Sequence, residues 1–161
     1  MSTDCEVRRQ FELADEAATL ALGRVLGERL EAGKGLGLIG ELGTGKTCLA
    51  RGVAQGLGVI DPAEVCSPTY LLLVEHPGAI PMLHLDAYLE AKTRAFFADG
   101  GDDYLLESGA VLVAEWADRI AEFMPQPSLW VELWPVSGGR RALLRGPGLP
   151  FRWIEKLAPK S

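Results

Sequence analysis

The chain has 161 residues, 48% hydrophobic and 24% charged, which suits one ordinary globular domain burying roughly 70% of its extended-chain surface. No apolar run approaches the ~18 residues a membrane span needs, and the opening MSTDCEVRRQ lacks the apolar core of a secretory signal, so a cytoplasmic protein is expected. A formal charge of −6 and a pI near 5.0 argue against a free-standing nucleic-acid binder; an RNA role would run through a partner, and DNA is not expected.

In chain order, Val7 to Leu13 carries β-formers and predicts an opening strand. From Asp15, a suitable N-cap, Ala18, Leu22, Val25, Leu26 and Leu30 recur on one helical face, and Gly33 and Gly35 punctuate the end. A short apolar strand, Leu36 to Ile39, runs into a glycine-rich segment. A second helix begins at Lys46, turns Leu49, Ala50, Val53, Ala54 and Leu57 inward, and ends at Gly56 or Gly58. Thr69 to Glu75 and Met82 to Leu85 read as strands around a Pro77-Gly78 turn. Thr93 to Glu107 reads as a helix broken by the polar loop Asp99 to Asp103. Ala110 to Ala114 is a fully apolar run, as a strand buried on both faces requires. Leu129 to Val136 and Arg140 to Arg145 flank the hairpin turn Ser137-Gly138-Gly139, and Phe151 to Leu157 closes the chain as a short helix.

Cys5, Cys48 and Cys66 are odd in number and far apart, so reduced thiols are expected, with neither a disulfide framework nor a zinc site. Arg8-Arg9 and Arg140-Arg141 read as solvated strand or turn residues.

The chemistry lies in Gly40-Glu41-Leu42-Gly43-Thr44-Gly45-Lys46-Thr47, a full match to G-x-x-x-x-G-K-[ST]. Glycines let the backbone wrap a phosphate with its N–H groups pointing inward, and the helix from Lys46 adds its positive end. The pattern assigns Lys46 to the β- and γ-phosphates and the Thr47 hydroxyl to Mg²⁺. A chance match in a chain of this length has odds of roughly 1%, and the strand before and helix after reduce them further. Just upstream, Gly35-Leu36-Gly37-Leu38-Ile39-Gly40 spells the dinucleotide fingerprint G-x-G-x-x-G. That motif should follow a strand and open a helix, whereas here it contains the strand, so it is rejected.

Such a loop also needs an acid near Mg²⁺ at a strand end. Asp86 and Glu115 both qualify, and the local pattern leaves the choice between them open. His84 reads as a hydrogen-bonded structural residue, and Trp116 as packing. The chain contains no Asn, so the guanine-reading Asn-Lys-x-Asp is absent and ATP is favoured.

Several segments together resemble the TsaE family (also called YjeE) of bacterial P-loop ATPases. They are GELGTGKT, then Ser67-Pro68-Thr69-Tyr70, then His84-Leu85-Asp86-Ala87-Tyr88, then Glu115-Trp116, in the family's order and over most of the chain. The resemblance implies an α/β fold: a single three-layer P-loop NTPase-like domain over residues 1–161, with a mostly parallel central sheet and antiparallel edge strands. It implies ATP and Mg²⁺ as ligands, with Glu41, Leu42, Gly43, Thr44, Gly45, Lys46, Thr47, Cys48 and Trp116 around the nucleotide. Thr47, Glu115 and Asp86 would hold the metal end, and Lys46, Asp86 and Glu115 would carry catalysis. Ser67 to Tyr70 resembles a switch-like loop. Thr44 stands for the family's Ala or Ser, Cys48 for its second Thr, and Leu89 for the Arg that usually ends H-x-D-x-Y-R; Arg94 could replace that Arg only if its loop folded back.

What the resemblance implies about function is a Mg-dependent ATPase, weak alone, that supports threonylcarbamoyladenosine modification of tRNAs reading ANN codons. It would act with a TsaB–TsaD heterodimer and meet tRNA only through those partners. A small-molecule kinase and a nucleotide-gated binding module with little hydrolysis are the alternatives; the first would want an arginine-rich lid, and Ala87 to Glu107 holds only Arg94.

Overall fold

The computed structural model describes residues 5–68 and 71–158. β1 (Glu6–Leu13) leads into Asp15, whose carboxylate accepts the Ala18 N–H at 2.8 Å and so caps α1 (Glu16–Arg29). β2 (Gly35–Ile39) follows, then the glycine-rich loop, then α2 (Lys46–Leu57), stopped by Gly58 in the left-handed conformation at φ 77°. α1 and α2 cross at very short range. A Cβ on Gly23 would stand 2.3 Å from the Leu49 carbonyl, and one on Gly27 2.2 Å from that of Val53. Gly52 and Gly56 on α2 return the same fit against α1.

After β2 the strands are β3 (Leu73–His76), β4 (Met82–Asp86), β5 (Val111–Glu115), β6 (Ser128–Val136) and β7 (Gly139–Pro147). They form one seven-stranded sheet in the order β1-β7-β6-β2-β5-β4-β3. The central strands β6, β2, β5 and β4 run parallel to one another, while β7 and β1 on one flank and β3 on the other pair antiparallel. Alternation along the strands fills both faces. Leu36, Leu38, Val111 and Val113 pack with Leu22, Leu26, Leu49 and Val53 of α1 and α2. Leu83, Leu85, Leu112 and Ala114 pack on the opposite face with Phe97 and Ile120. The layers are helix, sheet, helix.

The rejected dinucleotide fingerprint is indeed a strand. Its glycines serve packing, since a Cβ on Gly37 would stand 2.6 Å from the Trp130 ring. The strand expected over Thr69 to Glu75 is shorter and later. Leu71 and Leu72 both donate backbone N–H bonds to the Pro68 carbonyl, at 3.0 and 2.9 Å, and this turn delays β3 to Leu73; Thr69 and Tyr70 lie outside the described residues. The stretch 90–108 is two helices, α3 (Glu90–Phe96) and α4 (Asp102–Ser108), joined by a wide turn (Phe97–Gly101) that kinks at Asp99 and Gly100, as the polar break foretold. β6 and β7 form the expected hairpin. The tail is α5 (Gly148–Phe151) continued by a 3₁₀ turn (Arg152–Lys156).

Candidate functional site

Parallel strands deliver their C-terminal ends to one edge of the sheet, and three of those ends meet here. β2 ends in the glycine-rich loop, β4 ends at Asp86 and β5 ends at Glu115, with Asp86 and Glu115 directly opposite in register. The loop returns as α2, whose first turn points free N–H groups at the same place. A cleft of about 460 Å³ opens there, lined by Gly43, Gly45, Lys46, Thr47, Asp86 and Glu115, among others. Gly45, at φ 102°, needs the conformational freedom that only glycine supplies cheaply.

The acids are held in place from several sides. The Thr47 hydroxyl donates to Glu115 Oε1 at 3.0 Å, and buried His84 meets Glu115 Oε2 through Nε2 at 2.6 Å. Asp86 Oδ1 accepts the Tyr88 N–H at 2.8 Å, and Asp86 Oδ2 accepts the Ser67 hydroxyl at 3.1 Å. The conjunction of Thr47, Glu115 and Asp86 is an oxygen-donor set on one wall of the cleft. Among the described residues no group of three or more His, Cys, Asp or Glu side chains makes a metal site by itself. One or two carboxylates and a hydroxyl beside an anion cradle suit Mg²⁺, which keeps waters and takes phosphate oxygens as further ligands.

Lys46 turns back onto its own loop. Its Nζ donates to the carbonyls of Gly40 at 2.6 Å and Glu41 at 2.8 Å, and lies 4.3 Å from the centre of the Trp116 ring. Burial pushes its pKa below the ordinary lysine value, while Glu115, Asp86 and Glu41 pull it up. The ammonium is held by two loop carbonyls with acids nearby, so it is fixed at the mouth of the loop beside the N-terminus of α2. Trp116 completes this wall in a left-handed backbone conformation at φ 59°, uncommon for a bulky side chain. Its ring meets Tyr88 edge-on at 5.2 Å, and the Arg119 guanidinium lies 5.0 Å from its centre.

The sequence model of the family described as "Threonylcarbamoyl adenosine biosynthesis protein TsaE" matches residues 13–142, more than half of the chain. The chain belongs to the TsaE family. Among curated relatives, the TsaE of Streptomyces coelicolor is 39% identical over 138 residues, covering 82% of this chain and 91% of that one. The TsaE of Treponema pallidum is 35% identical over 125 residues, covering 78% and 90%. A crystal structure of YdiB from Bacillus subtilis superposes with a TM-score of 0.65 over 94% of this chain and 93% of its own, at 21% identity, so it speaks to the fold.

Within this TsaE-family chain the sequence-predicted residues fall into two groups. Leu42, Gly43, Gly45, Lys46, Thr47, Cys48, Asp86, Glu115 and Trp116 all face the cleft. Glu41 and Thr44 instead brace the loop from within, since the Glu41 carbonyl accepts the Thr44 hydroxyl at 2.9 Å as well as Lys46. Arg94 does not return to the cleft. It is held by Glu90 at 3.0 Å, by Glu122 and by the Arg119 carbonyl. His84 is the hydrogen-bonded structural residue the sequence suggests, and its partner is Glu115. One residue was misjudged from sequence. Arg140, read as a solvated strand or turn residue, reaches across the sheet to the Thr44 carbonyl at 3.1 Å and lines the cleft. No helix among the described residues is long and apolar enough to cross a membrane.

Proposed function

We propose that this TsaE-family protein binds Mg-ATP in the cleft and hydrolyses it in support of threonylcarbamoyladenosine modification of tRNA, in the cytoplasm and together with a TsaB–TsaD heterodimer. The observation that carries the reading is the meeting of Lys46, Thr47, Glu115 and Asp86 at the N-terminus of α2. Loop amides and Lys46 would take the phosphates. Thr47 and Glu115 would hold Mg²⁺, which supplies charge neutralisation between the β- and γ-phosphates. Asp86, oriented by Ser67 and the Tyr88 amide, would accept a hydrogen bond from the attacking water.

Two further features support a partner-dependent enzyme. Leu42, which lines the cleft, is 77% accessible, and Leu89, next in sequence to the cleft-lining Tyr88, is 48% accessible. That apolar rim suits a protein surface better than water. Among the described residues no arginine lines the metal end of the cleft: Arg94 is spent on Glu90 and Glu122, and Arg119 donates to the Tyr88 carbonyl. A phosphoryl-transfer site without such a group is slow until one is supplied. tRNA would be held by the partners, in keeping with the acidic chain.

Phosphate release from Mg-ATP by the purified protein, alone and with TsaB plus TsaD, tests the reading against Lys46→Ala and Glu115→Ala. Hydrolysis that rises with the partners and collapses in both variants is expected. Partners that neither bind nor stimulate it would refute the functional assignment. Transfer of phosphate to an added acceptor would mean a kinase.

A further inference from the structure

We infer that Arg119 is a positioning residue for phosphate release: from outside the cleft it locks Tyr88 against Trp116, and through them it fixes Asp86 and Glu115. The inference rests on the cleft being a site of ATP hydrolysis, and adds to it a residue that is not part of the cleft lining.

The two acids stand at the last positions of β4 and β5, so each is followed at once by chain that has left the sheet. A carboxylate in that place is only as fixed as the residues after it. Three stitches join the two exits. The first is a backbone bond, from the Ala87 N–H to the Glu115 carbonyl at 2.9 Å. The second is made by rings, with Tyr88 edge-on to Trp116. Arg119 makes the third. Its Nη1 donates to the Tyr88 carbonyl at 2.7 Å, and its guanidinium carbon lies 5.1 Å from the centre of the Tyr88 ring and 5.0 Å from that of Trp116.

Each of these contacts bears on an acid. Tyr88 donates its N–H to Asp86 Oδ1 at 2.8 Å; with its carbonyl and ring also pinned, the residue cannot rotate and that N–H stays aimed. Trp116 follows Glu115 directly, at a φ of 59° that a bulky side chain holds only where its surroundings over-determine it. Those surroundings are Tyr88, Lys46 and Arg119. Were Trp116 to relax, the peptide after Glu115 would turn with it, and the bond from Ala87 would be lost.

Arg119 is itself anchored. It lies in the 3₁₀ segment Ala117–Phe123, its N–H closes the turn on the Trp116 carbonyl at 3.1 Å, and its own carbonyl accepts Arg94 Nη2 at 3.0 Å. Arg94, gripped by Glu90 and Glu122, thus holds the backbone that carries Arg119. Among the described residues no carboxylate lies within ion-pair distance of the Arg119 guanidinium, so its partners are two rings and a carbonyl. That set calls for a guanidinium, which can lie against an aromatic ring while its edge N–H groups reach a carbonyl; an ammonium is a point charge and does not serve both.

The test is single-turnover phosphate release from Mg-ATP, with equilibrium binding of a Mg-bound non-hydrolysable ATP analogue alongside. Full-length wild type, Arg119→Met, Arg119→Lys and Arg141→Ala are compared, each alone and with TsaB plus TsaD. Arg119→Met keeps the stem and loses the guanidinium. Its rate should fall about tenfold, as for one lost charge-assisted hydrogen bond, while its affinity for the analogue changes less than about threefold. Arg119→Lys should fall between it and the wild type. Arg141 pairs with Glu12 on the far flank of the sheet, and Arg141→Ala should behave as wild type. Full rate in Arg119→Met, or an equal loss of rate and affinity, would overturn the assignment. Melting curves without nucleotide show which variants are folded; if Arg119→Met is not, Arg119→Lys carries the comparison, and full rate in it overturns the assignment. A wild type that releases no phosphate, alone or with the partners, refutes the hydrolysis reading itself. A hydrolysing wild type matched by Arg119→Met refutes only the role of Arg119.

Discussion

Replacing Glu115 with glutamine separates the metal role of this carboxylate from its structural one. Glu115 is 3% exposed and takes two donors, Thr47 Oγ1 at 3.0 Å and His84 Nε2 at 2.6 Å, one on each oxygen. Glutamine keeps the shape but carries no charge, so the bonds to Thr47 and His84 cease to be charge-assisted and one of the two neighbours must turn from donor to acceptor. A hydrogen bond to a charged group contributes about 1.5–3 kcal/mol, or roughly ten- to a hundredfold in an equilibrium constant. A carboxylate that reaches Mg²⁺ makes a charged contact of at least that size with the metal, so its neutralisation should raise the metal demand by a similar factor. A titration of phosphate release against Mg²⁺ at saturating ATP reads it directly. The half-saturating Mg²⁺ concentration should rise at least tenfold in Glu115→Gln, while nucleotide binding measured without metal changes little. Lower turnover with an unchanged Mg²⁺ requirement would refute the metal role and leave Glu115 a base or a brace. Wild-type turnover and Mg²⁺ dependence together would remove it from the site.

Gly27→Ala drives a methyl against the Val53 carbonyl, 2.2 Å from the built Cβ, and should cost about 1–3 kcal/mol in denaturant unfolding, with α1 and α2 forced apart. Ser67→Ala removes one of the bonds that orient Asp86 but leaves the Tyr88 amide in place, so kcat should fall about tenfold while ATP affinity holds. His76 is buried with Nε2 unpartnered, and burial, then the neighbouring His84, depresses its pKa. On acidification below about 6.5 the unfolded chain therefore takes up a proton that the folded one resists, and stability falls with pH. In His76→Phe that part of the slope should vanish between pH 7 and 5; an unchanged slope in chemical denaturation would refute it.

What could be read from the sequence is what neighbouring residues decide among themselves. Asp15 caps the helix it precedes, the apolar run Val111 to Ala114 reads as a strand buried on both faces, and Gly40 to Thr47 carries its loop geometry in its own glycines. Asp86 and Glu115 were visible as strand ends, but their meeting depends on β4 lying next to β5, a pairing of strands separated by α3 and α4. Periodicity does not report such adjacency. The same limit hid Arg140, whose partner Thr44 is 96 residues away. Its only local trace is position: a turn at Ser137 and Gly138 sets it near the start of a strand, at the sheet edge where the loop emerges. The glycines of α1 and α2 were hidden for a related reason. Gly23, Gly27, Gly52 and Gly56 look like weaknesses in each helix alone, costing about 1 kcal/mol apiece against alanine, and become assets only when the two helices meet. That contact seats the N-terminus of α2 against the sheet edge. The loop, Thr47 and the strand-end acids then share one rigid frame, so the packing that sequence hides is what gives the visible motif its geometry.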